Sequence, residues 1–475
     1  MTMTFEYLLG HWITLHGLIV MMGLVIYITS THTLHLRRHP SAAIAWVVAL
    51  VLLPYVTLPL YLIFGIRKVK GYQSAGRRIA LSMHTSTSFS DSLTARTQQL
   101  AAIMSLPAAS SYQQLNIHED GTQALQVLRN MIDGATRTID LCTFVFARDG
   151  LGGEIANSLK RRARDGIKVR LLVDGIGAYL GGHADFKSLS AEGVQVALFV
   201  PPLSSSLRGR TNLRNHRKMV IMDSECLWCG GRNLATEYFE GEATSASGNT
   251  PWVDLSFDLH GALALQAQQQ FDQDWEFATR GGYRESPIPG NQNFPSGLAM
   301  GQLIASGPDQ MDDTLYTLLI SGFFISRKRI LIVTPYFVPD PILLMSLTLA
   351  ARRGVLVDLL LPRKSNHRLA DLARHRALRE LAMAGAHILF SPHMIHAKAV
   401  VIDDEIALAG TANLDQRSLF LNYELMVAFY ESTDVKLFAQ WIERQQKSAL
   451  PYRIQKPSVW REIMEGMLLW LAFQL

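Results

Sequence analysis

The chain has 475 residues, of which 48% are hydrophobic and 18% are charged, and its formal net charge is +5. This length exceeds a single compact core and predicts two or three structural units, because domains usually hold ~100–200 residues. The high apolar content is unusual for a purely soluble protein, and the basic balance favours polyanions such as nucleic acid or an anionic membrane surface. The three cysteines give no disulfide framework, which fits a reducing compartment.

Two uncharged, apolar runs within residues 1–70 predict a membrane hairpin of two transmembrane helices. The first run, WITLHGLIVMMGLVIYIT (12–29), is long enough to span a bilayer. The second run (42–65) is expected to be helical, with kinks at Pro54 and Pro59. Because the N-terminal segment has neither a positive charge nor a cleavage site, a retained anchor is favoured over a signal peptide. Basic residues after the second run place the rest of the chain in the cytoplasm.

Residues 71–111 are rich in Ser, Thr, Ala and Gln and are interpreted as a linker. Beyond them, helix-like and strand-like periods alternate, and the order ALQVLRNMIDGAT, TIDLCTFVF, IANSLKRRARDG, KVRLLVDG returns as TLYTLLISGFFISRK, RILIVTPYFV, LLMSLTLAARRG, VLVDLLLPRK. This duplication predicts an α/β fold of two tandem α/β/α domains, residues 112–285 and 296–450. Residues 451–475 form a C-terminal apolar tail, whose segment 459–475 is expected to lie at a membrane interface, although packing against the enzyme body is the alternative.

Each copy ends in the same pattern, H-x-K-x4-D-x6-G-x-x-N. A histidine and a lysine two residues apart on a strand point to the same face, so each copy can present an imidazole beside an ammonium group. The aspartate lies at an odd offset from the histidine, where the strand turns, and is expected to hold that turn rather than to contact a substrate. The matching residues are His216, Lys218, Asp223, Gly230 and Asn233, and then His396, Lys398, Asp403, Gly410 and Asn413.

Two sets of these side chains around a pseudo-twofold axis suit displacement at a phosphodiester. One imidazole can attack phosphorus to form a phosphohistidine, while the other protonates the departing oxygen. The lysines and the asparagine amides can neutralise the phosphate oxygens, a role that can replace a divalent metal, so neither a metal nor a cofactor is predicted. Each histidine also needs a partner that fixes its tautomer. Asp254 and Glu424, which follow the motifs in apolar strand-like runs, are the candidates, unless they simply face solvent.

The two H-x-K-x4-D motifs, each closed by G-x-x-N, resemble the phospholipase D superfamily. The segments TPYFVPD (334–340), LPRKSNH (361–367) and GTANLDQRSLFLNYE (410–424) are similar to stretches of its bacterial cardiolipin synthases. The resemblance implies two phospholipase D-like domains that share one site, in which two phosphatidylglycerol molecules become cardiolipin and glycerol through a phosphatidyl-enzyme. It also implies chemistry without a metal, in a multi-pass protein of the bacterial inner membrane that binds anionic phospholipids, namely phosphatidylglycerol and cardiolipin.

The resemblance further implies roles for individual residues. The family often has Ser after the first Gly of the G-x-x-N turn. Thr411 keeps this hydroxyl and Gly231 lacks it, so the first half is expected to donate one fewer hydrogen bond. Symmetry assigns the attack to neither histidine, but in relatives with two motifs the first is taken as the nucleophile. The implied catalytic residues are His216, Lys218, Asp223, His396, Lys398 and Asp403, and the expected phosphate-binding residues are Asn233, Thr411 and Asn413.

Rival functions share the same motifs. The motifs specify a phosphatidyl-enzyme but not its acceptor, so a phospholipase D hydrolase, or a phosphatidyltransferase that uses another alcohol, fits them as well. A nuclease is chemically possible, but the hydrophobic hairpin confines the chain to a membrane and argues against nucleic acid as a partner. A binding protein without catalysis is disfavoured because both motifs are intact. The sequence makes no prediction about the oligomeric state.

Overall fold

The computed structural model describes residues 2–33, 40–65, 68, 92–201, 211–240, 252–280, 299–310 and 312–471. Its contacts divide the chain into two compact units. Unit 1 comprises Met1–Gly71 and Val200–Leu213, and unit 2 comprises Tyr72–Phe199 and Arg214–Leu475. The predicted boundary between the tandem domains (286–295) lies outside the described residues.

Unit 1 holds the apolar N-terminal helices α1 (Thr2–Thr33), α2 (Pro40–Leu52) and α3 (Pro54–Phe64). The second predicted transmembrane helix is therefore two shorter helices. Leu53 leaves the helical conformation, with φ −133°, because the ring of a following proline clashes with a helical residue before it, whereas Pro59 stays inside α3. In the described part of the chain, no helix is both long and apolar enough to cross a membrane, so the predicted membrane-spanning hairpin is not confirmed.

Helix α4 (Leu93–Ile103) opens the described part of unit 2 and lies within the predicted linker, residues 71–111. Ser92 caps it by accepting a hydrogen bond from the Ala95 amide at 3.1 Å. Its narrow buried face, which includes Ala101, joins the hydrophobic core of the second half of the fold. This part of the predicted linker is therefore a folded helix.

The remaining elements of unit 2 follow the duplicated order predicted from the sequence, and the helices and strands quoted there are confirmed. The first half contains β1 (Ser110–His118), α5 (Gly121–Gly134), β2 (Thr138–Thr143), α6 (Gly150–Arg164), β3 (Lys168–Asp174), α7 (Gly175–Leu180), α8 (Phe186–Ala191), β4 (Gln195–Phe199), β5 (Arg214–Asn215), β6 (Met219–Met222), β7 (Cys226–Gly230), a 3-10 turn (Thr236–Tyr238), β8 (Ser256–His260) and α9 (Ala262–Arg280). The second half contains β9 (Ala299–Ser306), α10 (Thr314–Ile325), β10 (Arg329–Val333), β11 (Phe337–Val338), α11 (Pro341–Arg352), β12 (Leu356–Pro362), α12 (Arg368–Met383), β13 (His387–Ser391), β14 (Ala399–Ile402), β15 (Ile406–Gly410), β16 (Leu414–Asp415), α13 (Gln416–Phe420), β17 (Asn422–Phe429), α14 (Ser432–Gln446), β18 (Leu450–Pro451) and α15 (Val459–Leu471).

Both halves contribute to one mixed sheet, which among the described residues has 16 strands. Its order is β18-β13-β12-β10-β14-β15-β17-β9-β1-β8-β7-β6-β2-β3-β4, with β5 beside β17. The order is mirrored about the antiparallel β1–β9 pair, which aligns Tyr112 with Ala299. Strands β2, β6, β7 and β8 thus correspond to β10, β14, β15 and β17, and a pseudo-twofold axis relates the two halves.

Each half builds its own hydrophobic core between the sheet and its helices. Helix α5 is typical: Ala124, Leu128 and Ile132 recur at helical spacing and are buried. Asp120 caps its first turn by accepting from the Gln123 amide at 2.8 Å. Close packing of this kind fixes the register of the central strands, and with it the position of the motif residues.

Candidate active site

The two motif histidines enter the site beside segments of the opposite half. The His216 amide donates to the Tyr423 carbonyl at 2.9 Å, and the His396 amide donates to the Val253 carbonyl at 2.7 Å. Strand β5, just before His216, also pairs in parallel with the start of β17. Each histidine is therefore fixed by a backbone hydrogen bond to the segment of the other half that carries a buried acid.

The acids singled out in the sequence contact the histidines crosswise. Glu424 Oε1 lies 2.9 Å from His216 Nδ1, and Asp254 Oδ2 lies 2.8 Å from His396 Nδ1. Both acids are fully buried, so the alternative that they face solvent is wrong. An Nδ1–H that donates to a carboxylate leaves Nε2 with a lone pair, which can attack phosphorus or take a proton.

Burial keeps the two imidazoles neutral. Removal from water is the main cause that lowers the pKa of His216 to about 4 and that of His396 to about 3, and the nearby lysines act in the same direction. Burial raises the pKa of Asp254 and of Glu424, but the adjacent histidines and lysines outweigh it and lower both pKa values. At neutral pH each pair is thus a neutral imidazole held by a carboxylate.

Lys218 and Lys398 bring positive charge from both halves into the same space. Lys218 Nζ donates to the His216 carbonyl at 2.8 Å, and Lys398 Nζ lies 2.9 Å from His396 Nε2. Burial lowers the pKa of Lys218 to about 8 and that of Lys398 to about 7. Lys398 also lowers the pKa of His216, although the two residues belong to different halves. A bound anion would relieve this repulsion, so the site favours a phosphate group.

The asparagines of the two G-x-x-N turns have unequal surroundings. Asn233 Oδ1 accepts from the Val145 amide at 3.2 Å, and its Nδ2 donates to the Tyr238 hydroxyl at 2.8 Å. Asn413 is buried, and within the described ranges its Oδ1 has no hydrogen-bond partner. Asn413 Oδ1 can therefore still accept from a hydroxyl of a ligand, whereas Asn233 is committed to the scaffold of the site.

Thr411 and Gly231 occupy equivalent positions beside the two acids. The Thr411 hydroxyl donates to Glu424 Oε2 at 2.6 Å and accepts from the Leu425 amide at 2.9 Å, so it holds the acid rather than a phosphate. At Gly231 an added Cβ would lie 2.2 Å from Asp254 Oδ1. The first half lacks the hydroxyl because the carboxylate of Asp254 occupies the space that a side chain at position 231 would need.

The motif aspartates lie at the far end of their strands. Asp223 and Asp403 begin the turns of the β6–β7 and β14–β15 hairpins, at φ 56° and 53°. Asp223 accepts from the Arg137 and Thr138 amides at 2.7 and 2.8 Å, and Asp403 accepts from the equivalent amides at the start of β10. Four strand residues separate each aspartate from its motif lysine, and the five steps between them span ~16 Å at ~3.3 Å each. The aspartates therefore fix the turns, and they do not reach the reacting groups that the family resemblance assigns them to.

Aromatic residues of the site were not predicted from the sequence. Between ring centroids, Phe144 lies 5.2 Å from His216, while Tyr238 and Trp252 lie 5.1 and 5.6 Å from His396. These rings remove water from the imidazoles and so contribute to their lowered pKa values. Phe144 follows β2, and the TPYFV segment follows the equivalent strand β10. Alignment of the two halves of the sequence would therefore have indicated that Phe144 lies near the site.

Two buried arginines were also not predicted from the sequence, although both lie inside the motifs. Arg217 lies between the motif histidine and lysine, and its Nε donates to the Glu424 carbonyl at 3.1 Å. Arg232 lies within the first G-x-x-N turn and donates to the His118 and Asp254 carbonyls at 2.9 Å. Both are at most 1% exposed. Both arginines hold the backbone that carries each acid. The sequence feature that could have identified them is a charged residue next to an otherwise buried strand.

Comparison with known proteins decides the family. The family model described as "Cardiolipin synthase, PLD-like domain" matches residues 128–275 and 321–446, more than half of the chain, and a "Phospholipase_D-nuclease N-terminal" model matches residues 19–65. Cardiolipin synthase A of Pseudomonas putida (strain W619) is 31% identical over 423 residues, which are 86% of this chain and 86% of that one. The chain belongs to the bacterial cardiolipin synthases of the phospholipase D superfamily.

Other relatives agree with this membership. Cardiolipin synthase A of Pseudomonas aeruginosa (strain UCBPP-PA14) is 31% identical over 416 residues, 84% of this chain and 83% of the relative. Among solved structures, the phosphatidylserine synthase of Haemophilus influenzae Rd KW20 has a TM-score of 0.59 and 13% sequence identity, and the match covers 81% of this chain and 100% of that one. This second likeness supports the tandem fold alone. As a member of the cardiolipin synthases, the chain is a phosphatidyltransferase of cardiolipin synthesis.

Proposed function

We propose that this cardiolipin synthase joins two phosphatidylglycerol molecules into cardiolipin and glycerol through a phosphatidyl-histidine intermediate, without a metal ion. The observation that carries the proposal is the pair of imidazoles, each held at Nδ1 by a buried acid of the other half and each beside a lysine. A double displacement needs two such imidazoles, one to attack phosphorus and one to move the proton.

In the first step, His216 Nε2 attacks phosphorus and the bond from phosphorus to the glycerol oxygen breaks. His396, which an anionic substrate favours in its protonated form, gives its proton to that oxygen, and glycerol leaves. The attack is assigned to His216 from the family resemblance. Its accessibility supports this order, since 13% of its side chain is exposed compared with 5% for His396. Glu424 stabilises the positive charge that develops on His216.

In the second step, a hydroxyl of another phosphatidylglycerol takes the place of glycerol. Neutral His396 Nε2 removes the hydroxyl proton, the oxygen attacks phosphorus, and the bond between phosphorus and His216 breaks, which releases cardiolipin. Lys218 and Lys398 neutralise the nonbridging oxygens in both steps. The Oδ1 atom of Asn413, which has no partner among the described residues, can accept a hydrogen bond from a hydroxyl of the ligand headgroup.

Restricted access of water supports transfer over hydrolysis. His396, the proposed base for the incoming hydroxyl, is 4% exposed, and the rings of Tyr238 and Trp252 lie against it. Water that reached this base would produce phosphatidic acid instead of cardiolipin. A lipid acceptor brings its own apolar surface and can displace water from such a pocket.

The N-terminal helices are proposed to anchor the enzyme in the bacterial inner membrane, with unit 2 on the cytoplasmic side. The support is an outward apolar stripe on α1, where Leu18, Met21, Val25 and Ile28 are 57% to 63% exposed. A contiguous apolar surface of this kind is unfavourable in water and favourable in lipid. Basic residues after the second apolar run support the cytoplasmic orientation.

Purified full-length enzyme in phosphatidylglycerol vesicles tests this function, with products separated by mass. We expect cardiolipin and glycerol in equal amounts, both with and without a chelator, because the lysines supply the charge stabilisation. A His216→Ala/His396→Ala double variant gives the background. Phosphatidic acid as the main product would establish the hydrolase instead. Activity that is lost with chelator and restored by a divalent ion would contradict the metal-free mechanism.

A further inference from the structure

A second cavity lies at the outer edge of the second half of the fold. It has a volume of about 450 Å³ and lies between α12, the β13–β18 pair and α15. Its basic lining includes Arg363, His375, Arg379, Arg453 and Arg461. Burial lowers the pKa of His375, and the charges of Arg461 and Arg379 act in the same direction. The cavity is therefore a region of positive potential.

The arginines of this cavity are only partly neutralised by acids. Arg379 Nη1 and Arg461 Nε share the carboxylate of Glu465, at 3.2 and 3.0 Å. Arg363 and Arg453 are exposed, and within the described part of the chain neither forms an ion pair. Unpaired guanidinium groups bond two oxygens of a phosphate at once, so the cavity favours a phosphate-bearing ligand.

Helix α15 borders the cavity, and among its residues whose side chains are described an acid is buried while large apolar side chains are exposed. Glu465 is 3% exposed and is paired with Arg379 of α12, whereas Trp460 and Met464, one turn apart, are 79% and 55% exposed. Val459 extends this apolar surface with 71% exposure. An amphipathic helix in water buries its apolar face. An outward apolar face with a terminal tryptophan instead fits a helix that lies in a membrane interface.

The cavity is separate from the catalytic site. His396 leads into β14, and the sheet order places β10 and β12 between β14 and β13. Three steps of ~4.8 Å separate β14 from β13 by ~14 Å. The cavity lies on the outer side of β13, where the Tyr452 amide donates to the Ile388 carbonyl at 2.8 Å.

We propose that this cavity binds the phosphodiester headgroup of a second, non-reacting anionic phospholipid while α15 lies in the membrane interface. Arg363 and Arg453 contact the phosphate, and Trp460 with Met464 contacts the acyl region. Free phosphate would engage the arginines alone, so the adjacent apolar side chains are what select a lipid. The proposal does not depend on the intermediate or the acceptor proposed above.

Hydrogen–deuterium exchange of the full-length enzyme in nonionic micelles tests the proposal, with phosphatidylglycerol or phosphatidylcholine added. A His216→Ala background keeps the lipid composition constant. We expect the amides of 450–471 to exchange more slowly as phosphatidylglycerol increases, but not with phosphatidylcholine. Arg363→Gln/Arg453→Gln should raise the phosphatidylglycerol concentration for half-maximal protection roughly tenfold, because arginines near an anionic surface attract it strongly.

Arg352→Gln/Arg376→Gln is the matched control. Both residues are exposed on helices, lie outside the cavity lining, and their replacement changes the net charge equally, so protection should match the unmutated background. If the control weakened the protection by phosphatidylglycerol equally, the effect would be general charge attraction, and the proposal would be overturned. Protection of 450–471 by inorganic phosphate alone, as strong as by phosphatidylglycerol, would also overturn it, since the ligand would then be a free anion.

Discussion

Positions 231 and 411 are equivalent in the fold, yet each requires a different residue. Asp254 is one methylene shorter than Glu424, so its carboxylate lies close to the backbone, where an added Cβ on Gly231 would come within 2.2 Å of Oδ1. In the other half the longer Glu424 leaves room for Thr411, whose hydroxyl bonds it at 2.6 Å. The first half therefore lacks the hydroxyl because the carboxylate of its shorter acid occupies the space beside position 231.

Gly231→Ser, which restores the hydroxyl that the family often has, is expected to damage the enzyme. The new side chain must displace Asp254 from His396, and loss of this orientation should lower kcat roughly a hundredfold. Thr411→Ser is the matched control, because it keeps the hydroxyl on Glu424 and should leave kcat nearly unchanged. The measurement is kcat in phosphatidylglycerol micelles together with the Tm of each variant. A fully active Gly231→Ser enzyme would show that Asp254 does not need this space.

The pH dependence of kcat/KM, measured with a phosphatidyl ester of p-nitrophenol whose leaving group needs no proton from His396, should reflect the lowered pKa values of the free enzyme. His216 attacks only when neutral, and its pKa is lowered to about 4, so activity should rise with pH through about 4 rather than about 6.5. The lysines act only when protonated, and with pKa values of about 8 for Lys218 and about 7 for Lys398, activity should fall as pH increases beyond these values. Measurement in nonionic micelles limits the effect of surface charge.

Lys398→Arg is the control for the basic side of this profile. Arginine keeps its charge at all accessible pH values, so the fall in activity assigned to Lys398 should move to higher pH. An acid limb near the ordinary pKa of histidine would contradict the neutral, buried imidazole described here.

The order of attack can be read from covalent labelling. A phosphatidyl ester of p-nitrophenol needs no protonated leaving group, so His396→Ala should still become labelled, whereas His216→Ala should not. Digestion of acid-quenched enzyme and mass analysis of the peptides locate the phosphatidyl group. Label on His396 in the unmutated chain would reverse the assignment, and label on neither histidine would remove the covalent mechanism.

At the scale of residues, the sequence predicted the histidines and lysines from their local offsets, and both acids from their places in apolar strand-like runs downstream of the motifs. It did not predict which acid serves which histidine. Glu424 is 208 residues from His216, and Asp254 is 142 residues from His396, and these contacts depend on how the two halves pair. Spacing along one strand contains no information about that pairing.

At the scale of elements, the hairpin turns show how an aspartate acts at a distance from the chemistry. Asp403 is 5% exposed and accepts from the Lys328 and Arg329 amides at 2.7 and 2.9 Å. It thereby ties the β14–β15 turn to the start of β10. The register of β14 fixes where His396 and Lys398 enter the site.

Asp403→Ala should lower the free energy of unfolding by about 2–3 kcal/mol, because three partly buried backbone amides lose their charged acceptor. The enzyme that remains folded should keep its kcat. Asp404→Ala is the matched control: it has the same left-handed backbone, with φ 60° compared with 53°, but its carboxylate pairs with Arg329 at the surface and should contribute under ~1 kcal/mol. Denaturant titration measures both. A folded Asp403→Ala enzyme without activity would place this aspartate in the chemistry.

The elements that were predicted wrongly from the sequence have a weak or interrupted pattern of apolar residues. Helix α4 buries only Leu93, Thr97 and Ala101, and its Thr- and Gln-rich sequence has the composition of a linker. The second apolar run appeared continuous because Pro54 and Pro59 were both expected to kink one helix. Pro54 instead begins α3, a position that proline favours.

At the scale of the whole molecule, the proposed membrane anchor and the motif residues lie in different compact units. The core clusters of unit 2 are built from residues 93 onward. A chain without residues 1–70 should therefore retain a folded sheet and turnover in detergent, while its sedimentation with phosphatidylglycerol vesicles decreases. Loss of the cooperative unfolding transition in the shortened chain would show instead that the N-terminal helices belong to the catalytic fold.

Because the acid–histidine pairs are crosswise, the site cannot be complete until the ribosome has synthesised most of the second half. The ribosome makes His216 208 residues before Glu424, and at ~5–20 residues per second it needs at least ~10 s to cover this interval. Throughout that time the first half has its motif histidine but not the carboxylate that orients it, and for most of that time it also lacks the second imidazole. A nascent or interrupted chain that ends before Glu424 therefore lacks a complete acid–histidine site. Both proposed roles, attack on phosphorus and proton transfer, become available together once the second half has folded.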